Sequence, residues 1–197
     1  MERDRQLLRD AEAGQSQIRI YGWSSSWVSL GHSQNPLRDL KPGSELPYVM
    51  RPTGGGGVLH GHDITLGFAK PLLNGQSPRS LRAIYLEAIQ PLIEALRTCR
   101  IPATFGTTIN GPTISSDCFA QISRNDIVDE RTGAKVCGCA LKVTDRAVLL
   151  QASIPIKSPL VNPQDIFINA APAQWVDLNV TDLTQALNAS QNLFAMK

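Results

Sequence analysis

The chemistry-bearing residues of this sequence gather in a glycine tetrad behind an arginine, a cysteine ahead of a phenylalanine, and a lysine leading a run of small residues. The tetrad reads Arg51-Pro52-Thr53-Gly54-Gly55-Gly56-Gly57-Val58-Leu59-His60. Consecutive glycines carry no Cβ, so backbone N–H groups can come close to a ligand and form an anion-binding nest, with Arg51 at its entrance. No Gly-Lys-Ser/Thr follows, so this is not a Walker loop, and no Gly-x-Gly-x-x-Gly opens a helix. Taken alone, such a tetrad also serves as a hairpin loop. The cysteine lies in Asp117-Cys118-Phe119-Ala120. A thiol there is a nucleophile if something favours its thiolate, and a small hydrophobe if nothing does. The lysine lies in Gly133-Ala134-Lys135-Val136-Cys137-Gly138-Cys139-Ala140, where nothing bulky beside it keeps a ligand away. A lone lysine at a strand start is otherwise simply solvated.

Two further groupings resemble metal sites and read better as structure. Cys137-x-Cys139 has no second pair at zinc spacing, so the two are expected to be small strand residues on one face. His60-Gly61-His62-Asp63 lacks an identifiable third ligand, and hydrogen-bonded imidazoles at a turn are expected instead. The expected metal content is none.

The elements that must position these groups follow from periodicity. Glu2 to Ala13 reads as a short surface helix ended by Gly14. Alternation or apolar content marks strands over Ile18 to Trp23, Trp27 to Gly31, Tyr48 to Arg51, Val58 to His60 and Ile64 to Phe68. Asn74 to Pro78 is a loop. Ser80 is placed to cap a helix whose stripe runs Leu81, Ile84, Tyr85, Ala88, Ile89, Leu92, Ile93 and Leu96, with Pro91 expected to kink or break it. Short strands follow around Ile127, around Val136 and from Ala147 to Ile156. Lys157 to Asp165 is a connection, and Thr181 is placed to cap a last helix carrying Leu183, Ala186, Leu187 and Phe194. Strands outnumber helices without alternating with them, which predicts an α+β fold.

The chain has 197 residues, 42% hydrophobic and 18% charged, enough for one core and too little charge for disorder. We expect one domain over 1–197. Lys plus Arg number 19 against 17 acidic residues, a net charge of +2, which argues against nucleic acid as partner. No apolar run is long enough to span a membrane, and Met1 to Arg5 lead into no apolar signal segment. The expected location is the cytoplasm, with Cys99, Cys118, Cys137 and Cys139 as free thiols.

The ordered blocks, Arg51 to His60 and then Gly133 to Ala140, resemble the biotin/lipoate protein ligase superfamily, in its lipoate-ligase and octanoyltransferase branch. That family reads Arg-Arg-x-x-Gly-Gly-Gly-x-Val-x-His and then Gly-Arg-Lys-Ile-x-Gly-x-Ala. Trp27 to Gly31, with Gln34 and Asn35 beyond, resembles its early Val-Ser-Leu-Gly-x-x-Gln segment, and Met1 to Leu8 its first helix. The resemblance implies a mixed β-sheet flanked by helices around a channel for an eight-carbon acyl chain. It implies Cys118 and Lys135 as catalytic residues, Lys135 binding the acyl carbonyl. It implies Arg51, Gly54, Gly55, Gly56, Gly57, His60, Gly138 and Ala140 as substrate-binding residues, the tetrad lining the channel. Cys118-Phe119 resembles the block of cysteine-dependent octanoyltransferases, which use no cofactor. They take octanoyl from acyl carrier protein and deliver it to a lysine of a lipoyl domain, on the glycine-cleavage H protein or an oxoacid dehydrogenase E2. Arg124-Asn125-Asp126-Ile127 instead resembles the ligases, which join free lipoate with ATP and Mg²⁺. A non-catalytic protein that binds acyl groups or lipoyl domains is a further reading. The transferase is favoured, since a thiol beside an ammonium is a mechanistic asset and the chain ends too early for a ligase's accessory domain. Departures from the pattern are Ala134 for Arg, Cys137 and Cys139 for Ala or Ser, and Ala152 for a polar residue in Gln151-Ala152-Ser153-Ile154.

Overall fold

The computed structural model describes residues 1–72, 80–107, 115–176 and 178–189. Helix α1 (Glu2–Glu12) is followed by strands β1 (Gln17–Tyr21) and β2 (Trp27–Leu30), helix α2 (Pro36–Asp39), and strands β3 (Tyr48–Met50), β4 (Val58–His60) and β5 (Asp63–Pro71). Helix α3 (Leu81–Thr98) and strands β6 (Ala103–Phe105), β7 (Ile127–Asp129), β8 (Lys135–Val143) and β9 (Ala147–Pro155) come next, then α4 (Pro163–Ile166) and α5 (Val180–Ala189). Most of these fall on the runs that periodicity marks. Strand β6 and the short α2 and α4 do not, and α4 falls largely within the stretch expected as a connection; each short helix starts locally, the Asn35 side chain accepting the Leu37 N–H and the Asn162 side chain the Gln164 N–H, with proline in the first turn.

Helix α3 starts as expected, with Ser80 Oγ accepting the Ala83 N–H at 3.2 Å. It does not break at Pro91. A proline removes one N–H from the ladder, and the buried Ile89, Leu92, Ile93 and Leu96 around it hold the turn against the core. Leu81, assigned to the buried stripe, is 59% exposed in the first turn. Helix α5 is capped by Asn179 and not by Thr181: Asn179 Oδ1 accepts from the N–H groups of Thr181 and Asp182. The expected loop at 74–78 and Phe194 lie outside the described residues.

Six strands form one sheet in the order β1-β5-β9-β8-β7-β6, antiparallel throughout. The turn between β8 and β9 permits only that pairing. The mixed character expected of the sheet belongs to a smaller one, β3-β2-β4, where β2 runs parallel to β3 and antiparallel to β4. On one face of the large sheet Ile64, Leu66, Leu150, Ala152 and Ile154 pack under α3 and α5. On the other, α1 sets Leu7 and Ala11 against Ala69, Ala147 and Leu149. With both faces covered, β5 and β9 read as nearly continuous buried runs, which hides part of their length from an alternation test.

Helix α1 can lie this close because β5 has a glycine beneath it. A Cβ on Gly67 would stand 3.1 Å from Asp4 Oδ1 and 3.2 Å from Leu7 Cδ1. Asp4 is fully buried there and accepts from Arg19 Nη1 (2.8 Å), Tyr21 Oη (2.9 Å) and Gln151 Nε2 (2.6 Å), tying α1 to β1 and β9. Replacing it leaves the buried Gln151 amide, the half-buried Tyr21 hydroxyl and the Arg19 cation without their acceptor. We therefore expect Asp4→Ala to lower stability by about 3 kcal/mol. Urea unfolding measures this, and a loss under about 1 kcal/mol would show that the network contributes little.

Candidate active site

The loop that joins β3 to β4 is shaped from within by Arg51, which is buried. Its Nη2 donates to the carbonyls of Gly54 (2.7 Å) and Gly56 (2.6 Å). Its Nη1 donates to the Ser29 carbonyl (2.9 Å) and reaches Ser29 Oγ (3.4 Å), and Nε donates to Thr53 Oγ1 (3.2 Å). A guanidinium has five N–H groups, and all five are occupied by the chain itself. Arg51, expected as a substrate-binding group at the entrance, is thus the inner support of the loop.

The glycines have a corresponding task. Gly57 N–H donates to the Ser116 carbonyl (2.7 Å), and Cys118 N–H donates to the Gly57 carbonyl (2.8 Å). A Cβ on Gly56 would stand 2.9 Å from the Cys118 nitrogen, and one on Gly57 would stand 2.4 Å from the Phe167 ring. The missing side chains let one strand of chain lie directly on another. Of the tetrad expected to line a channel, Gly56 and Gly57 seat the cysteine segment, while Gly54 and Gly55 face His32 and Arg51.

Cys118 opens a single 3₁₀ turn, Cys118–Ala120, in which Asp117 Oδ1 accepts the Phe119 N–H at 2.9 Å. Lys135 heads β8 and is buried, with Nζ 3.4 Å from Cys118 Sγ. The same ammonium donates to the carbonyls of Cys118 (2.6 Å) and Gln121 (3.1 Å) and pairs with Asp126 Oδ2 (2.9 Å). Gly138, across β8, gives the sulfur its space: a Cβ there would stand 3.2 Å from Sγ. The structure therefore brings Cys118, Lys135 and Gly138 together.

The charge balance differs from the simple expectation of a thiolate beside a lysine. Burial pushes the Cys118 thiol up, Asp126 and Asp117 push the same way, and Lys135 and Arg51 only partly oppose them. The resting group is a thiol. Burial alone would lower the Lys135 pKa, but Cys118 and Asp126 more than reverse this and hold it well above the ordinary lysine range. The resting lysine is an ammonium.

A narrow cavity of about 30 Å³ runs past the sulfur. Ser29, Arg51, His60, Cys118, Gly138, Ala140, Gln151 and Met1 are on its wall; Lys135 and the tetrad are not. That is room for one or two waters, so an eight-carbon channel is closed in this structure. A larger cavity of about 520 Å³ lies near β1 and α5 and contains none of these groups.

His60, expected as a substrate-binding residue, ends β4 with both ring nitrogens engaged, Nδ1 with Asp63 Oδ2 and Nε2 with Ser29 Oγ, each at 2.8 Å. Cys137 and Cys139 do share a face of β8, their sulfurs 3.7 Å apart against the α3 core. No local pattern marks Ser29, Asp63 or Asp126 as site residues, apart from the His60-x-x-Asp63 spacing across a turn.

The family model of the lipoyl protein ligase A/B catalytic domain matches residues 1–195. The octanoyltransferase LipM of Bacillus subtilis is 29% identical over 146 residues, 68% of this chain and 51% of that protein. LipM of Halalkalibacterium halodurans is 30% identical over the same span and shares. The chain spans about half the length of the curated relatives it matches. Lipoate-protein ligase A bound with ATP superposes with a TM-score of 0.74 at 16% identity, over 98% of this chain and 78% of that one, so the two share a fold.

The electrostatics predict how Cys118 responds to pH. Alkylation by iodoacetamide, located at Cys118 by peptide mass mapping, should rise only above the ordinary thiol range. Lys135→Met removes the nearest cation and leaves Asp126, so it should move that rise to still higher pH. A rise at lower pH in the variant would show that Lys135 does not favour the thiolate.

Proposed function

The chain belongs to the lipoyl protein ligase A/B catalytic-domain family, and on that premise we propose that it is an acyltransferase working through a Cys118 thioester. Octanoyl–acyl carrier protein is the donor. The acceptor is a lysine of a lipoyl domain, on the glycine-cleavage H protein or an oxoacid dehydrogenase E2. The observation that carries this reading is the Cys118 sulfur on a cavity wall, 3.4 Å from the Lys135 ammonium. The names of the curated relatives support it. Among the described residues no helix is long and apolar enough to cross a membrane, and we place the reaction in the cytoplasm.

In the first step the sulfur attacks the donor thioester carbonyl, the donor's C–S bond breaks, and octanoyl becomes bound to Cys118. In the second the acceptor amine attacks that carbonyl, the Cys118 C–S bond breaks, and an amide forms. Lys135 is held by two carbonyls and Asp126, so its charge is fixed where negative charge gathers on sulfur as that bond opens. Gly138 leaves the sulfur free to be approached. An octanoyl tail needs more room than the cavity now has. Met1, unbranched and on the wall beside Gln151, is the side chain suited to yield.

Energy separates this route from the ligase. The first step exchanges one thioester for another, nearly without free-energy change, and the second runs downhill to an amide. No nucleotide is required. A free carboxylate, by contrast, must first be adenylated with ATP and Mg²⁺. The deciding experiment compares a lipoyl domain with octanoyl–acyl carrier protein and no ATP against the same domain with free lipoate, ATP and Mg²⁺. We expect product in the first tube, with an acyl adduct on Cys118 that is absent in Cys118→Ala. Product in the second tube alone would establish the ligase. Tight binding of the domain without product in either would establish a non-catalytic binding protein.

A further inference from the structure

We propose that the larger cavity, beside β1 and α5, is a second ligand site, built for a small carboxylate carried on a flat apolar body. It is separate from the Cys118 cavity and does not rest on the transferase reading. At about 520 Å³ it has the size of a site for an organic molecule.

The cavity arises because β1 is an outermost strand of the large sheet, beyond the strands that α3 and α5 cover. Ile18 pairs with Phe68 and Ile20 with Leu66, which puts both isoleucines on the helix-covered face, where they stay half-buried. Ile64 and Ile156 extend this apolar floor, and Val180 of α5 borders it with 47% of its surface exposed. Trp23 adds a flat wall. Its indole stacks on His60 at 4.2 Å and donates to Thr65 Oγ1 at 2.9 Å, so the ring is held in place. Branched aliphatic groups beside a fixed aromatic ring suit a planar ligand better than a flexible chain.

The sign of the ligand's charge follows from the polar groups on the same wall. The Ile156 N–H donates to the His62 carbonyl at 2.9 Å, which brings Lys157 alongside His62, and both line the cavity. Lys157 is exposed, and among the described residues no carboxylate pairs with it. His62 is buried, and its Nδ1 has no hydrogen-bond partner among the described residues. Burial lowers the His62 pKa, Asp63 opposes this, and His60 and Lys157 add to it. The resting ring is therefore neutral, with one N–H to donate.

Asp63 is the acidic residue on this wall, and its carboxylate is already engaged. It accepts from Ser153 Oγ (2.7 Å), Thr65 Oγ1 (3.0 Å) and the Gly61 N–H (3.2 Å), and it pairs with His60 Nδ1 (2.8 Å). His60, Thr65 and Ser153 belong to the wall of the Cys118 cavity, so the acid is committed to that side. An amine in the larger cavity would meet no open carboxylate. A carboxylate there would meet an ammonium and an imidazole, with its apolar body on the isoleucine floor.

The test titrates the full chain by calorimetry with naphthalene-carboxylate and with its neutral isostere, naphthalene-carboxamide. Two fused rings fit the larger cavity and not the about 30 Å³ beside Cys118. We expect one site, with a dissociation constant for the carboxylate on the order of 100 µM and about tenfold weaker binding of the amide. Lys157→Met, at an exposed position that folding does not need, should weaken the carboxylate about tenfold and leave the amide within about twofold. His62→Phe keeps a ring and removes both nitrogens, and should do the same. Thr184→Trp sets an indole from α5 into the cavity. It should abolish binding of both probes in a chain folded by circular dichroism whose Cys118 is alkylated at the parent rate. No binding of the carboxylate at about 1 mM would overturn the proposal. So would binding that survives in the folded Thr184→Trp chain, which would put the probe elsewhere. Equal losses of carboxylate and amide in Lys157→Met would overturn it too, since the lysine stem and not its charge would then be what binds.

Discussion

A buried guanidinium with no counter-ion organises this molecule. Among the described residues no carboxylate pairs with Arg51; its charge is met only by the carbonyls of Ser29, Gly54 and Gly56 and the hydroxyls of Ser29 and Thr53. Burial lowers its pKa, yet an arginine stays charged under these conditions. A cation in that position needs several carbonyl oxygens turned inward. Only a backbone without side chains can supply them within a few residues, as Gly54 to Gly57 do. The loop that results presents its outer edge to the Ser116–Cys118 segment, which hydrogen-bonds to Gly57 on both sides. The position of the nucleophile is thus a consequence of how the arginine is solvated by the chain.

The second cation is handled differently. Lys135 pairs with Asp126 and Arg51 with no carboxylate among the described residues, while Asp117 adds a second acidic group near Cys118. Desolvation still outweighs both cations and leaves the sulfur protonated at rest. The site is therefore poised to favour negative charge that appears during reaction more than charge present beforehand, which is the condition for lowering a barrier without tying up the ground state.

The small sheet and the large sheet meet at the wall of the Cys118 cavity. Ser29 and His60 come from the small sheet, Gln151 and Ser153 from β9 of the large one, and Asp63 from the first residue of β5. Thr53 Oγ1 donates to Gln151 Oε1 at 2.8 Å, and Gln151 in turn reaches Asp4 of α1. A continuous polar seam therefore runs from the glycine loop to the first helix, between apolar clusters on either side. Such seams are rigid when every member is paired, and here the seam aligns the glycine loop with the first helix.

Features that neighbouring residues decide together can be read from the chain order alone. The stripe of α3 with its Ser80 cap, the strand runs, the glycine stop after α1 and the clustering of Cys118, Lys135, Gly138 and Ala140 into quotable blocks were all legible, because helix and strand periods act over a few residues. The tertiary structure decided everything that depends on contacts between distant segments. Nothing local to Arg51 says that it points under its own loop, since that requires Ser29 from another strand. Nothing local to the tetrad says that its open face will be filled by Ser116 to Cys118 and Phe167. The thiol's protonation depends on the fold for the same reason: a lysine nearby argues for thiolate, but burial and Asp126 argue more strongly against it. Pro91 was overruled by the apolar surface on either side of it. Side-chain identity is written in the sequence, while the desolvation and the partner each side chain meets are properties of the packed chain.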